Sequence, residues 1–138
     1  MDLPANTLVP AAAAALFIVA GLAAALRRAG TGAVAIAKWQ VPALLAAGFF
    51  MLSLIPITNG GALGFWAEHT RNDWNNQIFL DLLLCAGCAY FLLLDRARAV
   101  SLQVLPWFLA IACLGSIGLL AMFARVLFLE EKARSGPA

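Results

Sequence analysis

With 138 residues, 64% of them hydrophobic and only 12% charged, the chain has too little polar surface to stay dispersed as a soluble domain of this size. Apolar stretches consume most of its length, and residues 58–77, the longest segment between them, are too short to bury a core of their own, so a single transmembrane domain over 1–138 is expected. The formal net charge of +2 is small, and its cations flank the apolar stretches without interleaved aromatics, which argues against a nucleic-acid partner.

Four apolar stretches follow one another: Thr7 to Leu26, Val41 to Ile57, Ile78 to Leu94 and Val104 to Leu129. Each is about long enough to cross a bilayer as a helix. The expected fold is therefore an all-α integral membrane protein, a four-helix transmembrane bundle with helices at about 7–26, 41–57, 76–95 and 103–129. Residues 1–6 carry Asp2 and no cation, whereas a secretory signal needs a positive segment before its apolar stretch, so the first span is expected to be retained.

The first connection, RRAGTGAVAIAKWQ, breaks the helix at Gly30, Thr31 and Gly32 and offers a short apolar piece ending at Trp39 that suits the membrane interface. The second span is expected to stop around Pro56, Asn59, Gly60 and Gly61. In the loop that follows, the rings of Trp66 and Trp74 prefer the headgroup level and would hold the segment as an ordered outer lid. Alanines 11–15, and Gly115, Ser116 and Gly118 in the last span, permit close helix approach.

Cations set the expected orientation. Arg27, Arg28 and Lys38 follow the first span, and Arg96 with Arg98 follow the third. These two connections should face the cytoplasm of an inner-membrane, multi-pass protein, with both termini outside. Arg71, Lys132 and Arg134, accompanied by Asp2, Glu68, Asp73, Glu130 and Glu131, would then lie on the outer side.

Two charges fall inside the apolar stretches. Asp81 lies three residues inside the third and Arg125 four residues before the end of the fourth, roughly 5 to 6 Å deep in each case. The third span starts on the face where the fourth ends, whichever way the protein inserts, so the two meet at matching depth and an ion pair is expected. Gln77, Asp81, Cys85 or Leu84, Cys88, Leu92 and Asp95 follow steps of three and four, which places a polar stripe on one face of the third helix. Asn59, Asn76 and Gln77 fall near Asp81, so Asn59, Trp66, Trp74, Asn76, Gln77, Asp81 and Arg125 form the candidate ligand-binding set. Asn75 and Asn76 also suit the plainer role of helix caps.

Cys85 and Cys88 have the C-x-x-C spacing of thiol oxidoreductases, but they sit near the middle of a span, where a thiolate is poorly solvated. As small packing residues they need no further role. His69 is the sole histidine and has no second ligand at metal spacing, so no metal and no cofactor are expected.

From about Ala43 to Glu131, the span ending near Pro56, the segment NQIFLDLLL, the charged end LLLDRAR and FARVLFLEE resemble a family of small uncharacterised bacterial integral membrane proteins, a domain of unknown function. The resemblance implies a compact helical membrane protein in which Asn76, Asp81, Arg125 and Glu130 stand at the family's recurring positions, and it leaves the activity open. The architecture is also loosely similar to membrane-bound terpene cyclases.

Two functions fit these residues. One is a non-catalytic accessory or lipophilic-ligand-binding subunit whose partners are membrane lipids and other membrane subunits or further copies of itself. The other is an enzyme acting on an isoprenoid or other lipid, with Asp81 as the catalytic acid and Trp66, Trp74, Phe79 and Tyr90 around a developing cation. A neighbouring Arg125 would oppose the second, since a cation keeps a carboxyl ionised.

Overall fold

The computed structural model describes residues 5–26, 39–61 and 63–135, and these fall into two units divided between Ala35 and Ile36. The first connection, with Arg27, Arg28, Lys38 and the expected interfacial piece, lies outside the described residues. Every regular element among the described residues is a helix: α1 (Ala5–Ala25), α2 (Gln40–Gly60), α3 (Gly64–His69), α4 (Asp73–Ala99), α5 (Val104–Leu114) and α6 (Ser116–Ser135). Helix α1 constitutes the first unit and matches the first apolar stretch, with Pro10 inside it. Among the described residues, α2 and α4 are the two helices long and apolar enough to cross a membrane.

Helix α2 runs on through Pro56 and ends at Gly60, within the stop that the sequence predicts, capped by Gly61, whose φ of 76° few other residues adopt readily. Proline removes one amide donor from the ladder. Hydroxyls on either side support neighbouring carbonyls, Ser53 donating to the Phe49 oxygen and Thr58 to the Ile55 oxygen, each at 2.8 Å.

Helix α4 begins at an N-cap that the sequence reading assigned to its neighbours: the Asn72 side chain accepts from the Asn75 amide at 2.9 Å. Its far end closes in a Schellman turn. The Leu102 amide donates to the Ala97 oxygen and the Ser101 amide to the Arg98 oxygen, both at 2.9 Å, with Ser101 at φ 56°.

The largest departure from the expected bundle is the last apolar stretch. Residues 103–129 do not form one helix: the chain turns sharply at Gly115, with φ 56° and ψ −128°, and α6 folds back along α5. Glycine is needed twice. Gly115 adopts a positive φ, and at Gly118 a Cβ would stand 2.6 Å from the Ala110 carbonyl, so the two backbones touch where a side chain would separate them.

This hairpin places α6 at the centre of the second unit, against α2, α4 and α5. Met122 and Val126 on α6 are fully buried and meet Leu93 and Ala97 of α4, with Tyr90, Leu102, Val104, Trp107 and Ile111 packed around them. Across the other face of α6, Trp39 at the start of α2 sets its ring edge-on to Phe128, centroids 5.4 Å apart. Helices α4 and α6 therefore end on the same side, which is also the side where α2 begins.

Gly118→Ala should lower the thermal stability of the detergent-solubilised protein by about 1 to 3 kcal/mol, because its methyl group meets fixed backbone. Gly87→Ala, whose Cβ meets nothing within 4 Å, should be neutral or stabilising in the same melt.

Candidate functional site

The hairpin determines which polar residues can meet. At its open end, Arg96 of α4 grips Glu130 of α6 with two hydrogen bonds, Nε to Oε1 at 2.9 Å and Nη2 to Oε2 at 2.7 Å. The guanidinium also lies over the Phe123 ring, 5.7 Å from its centroid, and Arg134 approaches the same carboxylate at 3.8 Å. Hydrogen bonding from Arg96 holds the Glu130 carboxyl below its ordinary value, burial opposes this, and the charges of Arg96 and Arg134 reinforce it. The sequence reading placed Glu130 on the opposite side from Arg96. Nothing in the local pattern announces a reversal in the middle of an apolar stretch except the glycines.

The expected Asp81–Arg125 pair does not form. None of the ion pairs among the described residues joins them. Counting back from the Arg96–Glu130 contact, Asp81 lies about 22 Å along α4 and Arg125 about 7 Å along α6, since the two helices run the same way. Arg125 instead stacks over Phe128 at 5.5 Å, and its side chain is exposed. Asp81 is exposed on α4, with Cys85 Sγ at 4.0 Å from its Oδ1.

The other candidates separate into two groups. Trp74, Gln77 and Asp81 line a shallow depression on α4, together with Ile78, Leu80 and Leu84. Trp66 turns elsewhere: its ring meets Phe79 at 6.2 Å, and His69 meets the same ring at 4.9 Å while its Nδ1 lies 2.7 Å from the Phe65 oxygen. Asn75 donates from Nδ2 to the Glu68 oxygen at 2.7 Å, which ties α3 to the start of α4. Helix α3 is thus held against the start of α4 by aromatic and amide contacts around Phe79. Asn76 spends its amide on the Asn72 oxygen at 3.0 Å, and Asn59 is exposed near the end of α2.

A groove that the sequence reading missed opens between the second half of α2, helix α3 and the turn of the hairpin. Its volume is about 480 Å³. Phe50, Pro56, Ile57, Phe65, Leu114 and Ile117 supply apolar walls, with Ser53, Glu68 and Cys113 as the polar members. Gly60, Gly61 and Gly64 leave its rim without side chains. The groove exists because α5, at 11 residues, stops well short of the length of α4, so nothing from the last apolar stretch fills the space beyond Gly115. Asp81 is not part of it. No group of three or more His, Cys, Asp or Glu suited to a metal ion occurs among the described residues.

No family model, no curated protein and no solved structure matches the chain.

The Glu130 carboxyl is lowered in the folded state, so the pair's contribution is complete at neutral pH and is lost as pH falls from the ordinary carboxylate range through the lowered value. Melting temperature in detergent should therefore drop on acidification below about pH 4. Glu130→Gln should flatten that dependence and cost roughly 1 kcal/mol at pH 7, a small figure because Arg96 is 44% exposed and solvent screens the pair.

Proposed function

We propose that the chain is a multi-pass inner-membrane protein that binds a lipophilic molecule in the groove and acts as a non-catalytic accessory subunit. The observation that carries this reading is the groove itself, a space of about 480 Å³ with mainly apolar walls, bounded by a helix long enough to cross the bilayer. Large apolar side chains exposed along α2 and α4, such as Leu44, Met51, Ile55, Leu84 and Phe91, suit contact with lipid on the faces outside it.

In this arrangement α2 and α4 cross the membrane, and α5 with the apolar part of α6 forms a re-entrant hairpin whose tip reaches mid-membrane. Helix α5 is about 16 Å long, roughly half of a ~30 Å hydrocarbon core. Folding back brings Lys132 and Arg134 to the end that holds Arg96 and Arg98, whereas the opposite end carries Arg71 with Glu68 and Asp73. The basic end faces the cytoplasm, and the end of α6 lies there with it.

The enzymatic alternative finds less support. Asp81 lies outside the groove, Trp66 is engaged with Phe79, and Tyr90 packs against Phe108 at 5.6 Å, so of the four aromatic residues Trp74 alone lines the depression that holds the acid.

Orientation is tested with single cysteines in intact cells. An impermeant thiol reagent should label a cysteine at Thr70 and leave one at Ser135 or Arg98 unlabelled; labelling at Ser135 without Arg98 would overturn the re-entrant topology, and labelling at both would overturn the orientation.

Binding is tested by mass spectrometry of the protein purified in mild detergent. The wild type should retain a lipophile near one per chain, and Ile57→Trp, which fills the groove, should reduce it at least about threefold without loss of folding. Asp81→Asn should leave it unchanged. An empty wild type, or equal retention in Ile57→Trp, would overturn the reading.

A further inference from the structure

Helix α6 is enclosed on most sides, and a cation stands where it opens. Among the described residues from 117 to 130, every one is buried or half-buried except Arg125, which is exposed. Its guanidinium lies over the Phe128 ring at 5.5 Å, and Trp39, at the start of α2, meets the same ring edge-on with centroids 5.4 Å apart. A guanidinium stacked in this way uses its face on the ring and keeps its N–H donors, which lie in its plane, for acceptors at its edge. Among the described residues no carboxylate pairs with it.

The neighbouring acids are committed or turned away. Glu130 holds Arg96 and Arg134, Asp95 pairs with Arg98 and Glu68 with Arg71. Asp73 and Asp81 belong to the far end of α4, and residues 3–67 contain no Asp or Glu. Around α6 itself, Glu131 falls about 120° from Arg125 whereas Lys132 falls about 20° from it, so the near neighbour on this face is a second cation, ~10 Å further along the helix.

We propose that Arg125 and Lys132 bind the phosphate of an anionic phospholipid in the cytoplasmic leaflet, with Trp39 and Phe128 against the first carbons of its acyl chains. The inference rests on the reading that α2 and α4 cross the bilayer with the basic end inside. Arg125 lies ~7 Å along α6 from Glu130, toward the middle of the membrane, which sets its backbone just below the headgroups and its long side chain within reach of them. Lipid tails give a guanidinium no acceptor, whereas a phosphate accepts two parallel N–H bonds from its edge. The Trp39 indole belongs at the same level. Two cations on one face favour a headgroup of net negative charge over one that carries its own ammonium. A soluble phosphate lacks the acyl chains that the rings cover, so the site is one for lipid.

The test is lipid titration of the full chain in mild detergent. Trp39 is kept as the sole tryptophan through Trp66→Phe, Trp74→Phe and Trp107→Phe, and the probes are phosphatidylglycerol and phosphatidylcholine, each with bromines on its acyl chains to quench a neighbouring indole. Phosphatidylglycerol should quench saturably and bind about fivefold more tightly than phosphatidylcholine. Arg125→Gln should remove that preference and Lys132→Gln should weaken it about twofold, whereas Arg125→Lys should keep part of it and Arg71→Gln, beside the start of α4, should leave it unchanged. The melting temperature of the chain with all its tryptophans should rise with phosphatidylglycerol and not with inorganic phosphate, and the rise should vanish in Arg125→Gln.

Equal affinity for the two lipids, an unchanged preference in Arg125→Gln, or a rise in melting temperature with inorganic phosphate equal to that with lipid would overturn the site, the last by marking it as one for a free anion. Vesicles separate this outcome from failure of the bilayer reading. There, bromines near the headgroup end of the acyl chains should quench Trp39 more than bromines near the chain ends. Without that difference, the placement of this end at the membrane surface is overturned; with it, and with no lipid preference in detergent, the lipid site alone is overturned.

Discussion

The close contact between α5 and α6 at Gly118 is the constraint on which the rest of the second unit depends. A Cβ at that position would stand 2.6 Å from the Ala110 carbonyl, so the hairpin closes only because the residue is glycine. With the turn made at Gly115, α6 returns alongside α4 and becomes the helix that every longer helix of the unit touches. Met122 and Val126 are fully buried as a result, and without the return they would have nothing to pack against.

Charge placement follows from the same turn. Had residues 103–129 formed one helix, Glu130 would have ended far from Arg96, and Arg125 would have stood at the depth of Asp81. Reversal exchanges these relations: the Arg96–Glu130 pair closes the open end of the hairpin with two hydrogen bonds, while Asp81 and Arg125 are left about 15 Å apart along the helix direction. The paired groups sit where solvent can reach them, which limits their energetic weight and makes them a register device more than a source of stability. Arg125 and Asp81 then need other neighbours. Phe128 provides one for Arg125.

The groove arises from what α5 leaves unfilled beside α2 and α3, and its polar members are few. A lipophile suits the groove because its walls are mainly apolar.

Much of the helical content was legible in the sequence, since apolar runs of this length with few charges fold as helices whatever their neighbours: the apolar stretches at 41–57 and 78–94 each lie within one helix, and so does 7–26 but for its last residue, Leu26. The polar stripe of α4 was legible for a related reason, because helical spacing alone places Gln77, Asp81 and Cys88 on one face. The groove, the Asn72 cap and the order of the segment around Phe79 were less so, as they depend on contacts between elements. What only the tertiary structure decided is the direction of the last helix. Hydropathy is the same whether residues 103–129 run straight or fold back, and Gly115 and Gly118 permit a turn without requiring one. The choice is made by the packing of α6 against α2 and α4, and that choice determines which charges meet and where the groove lies.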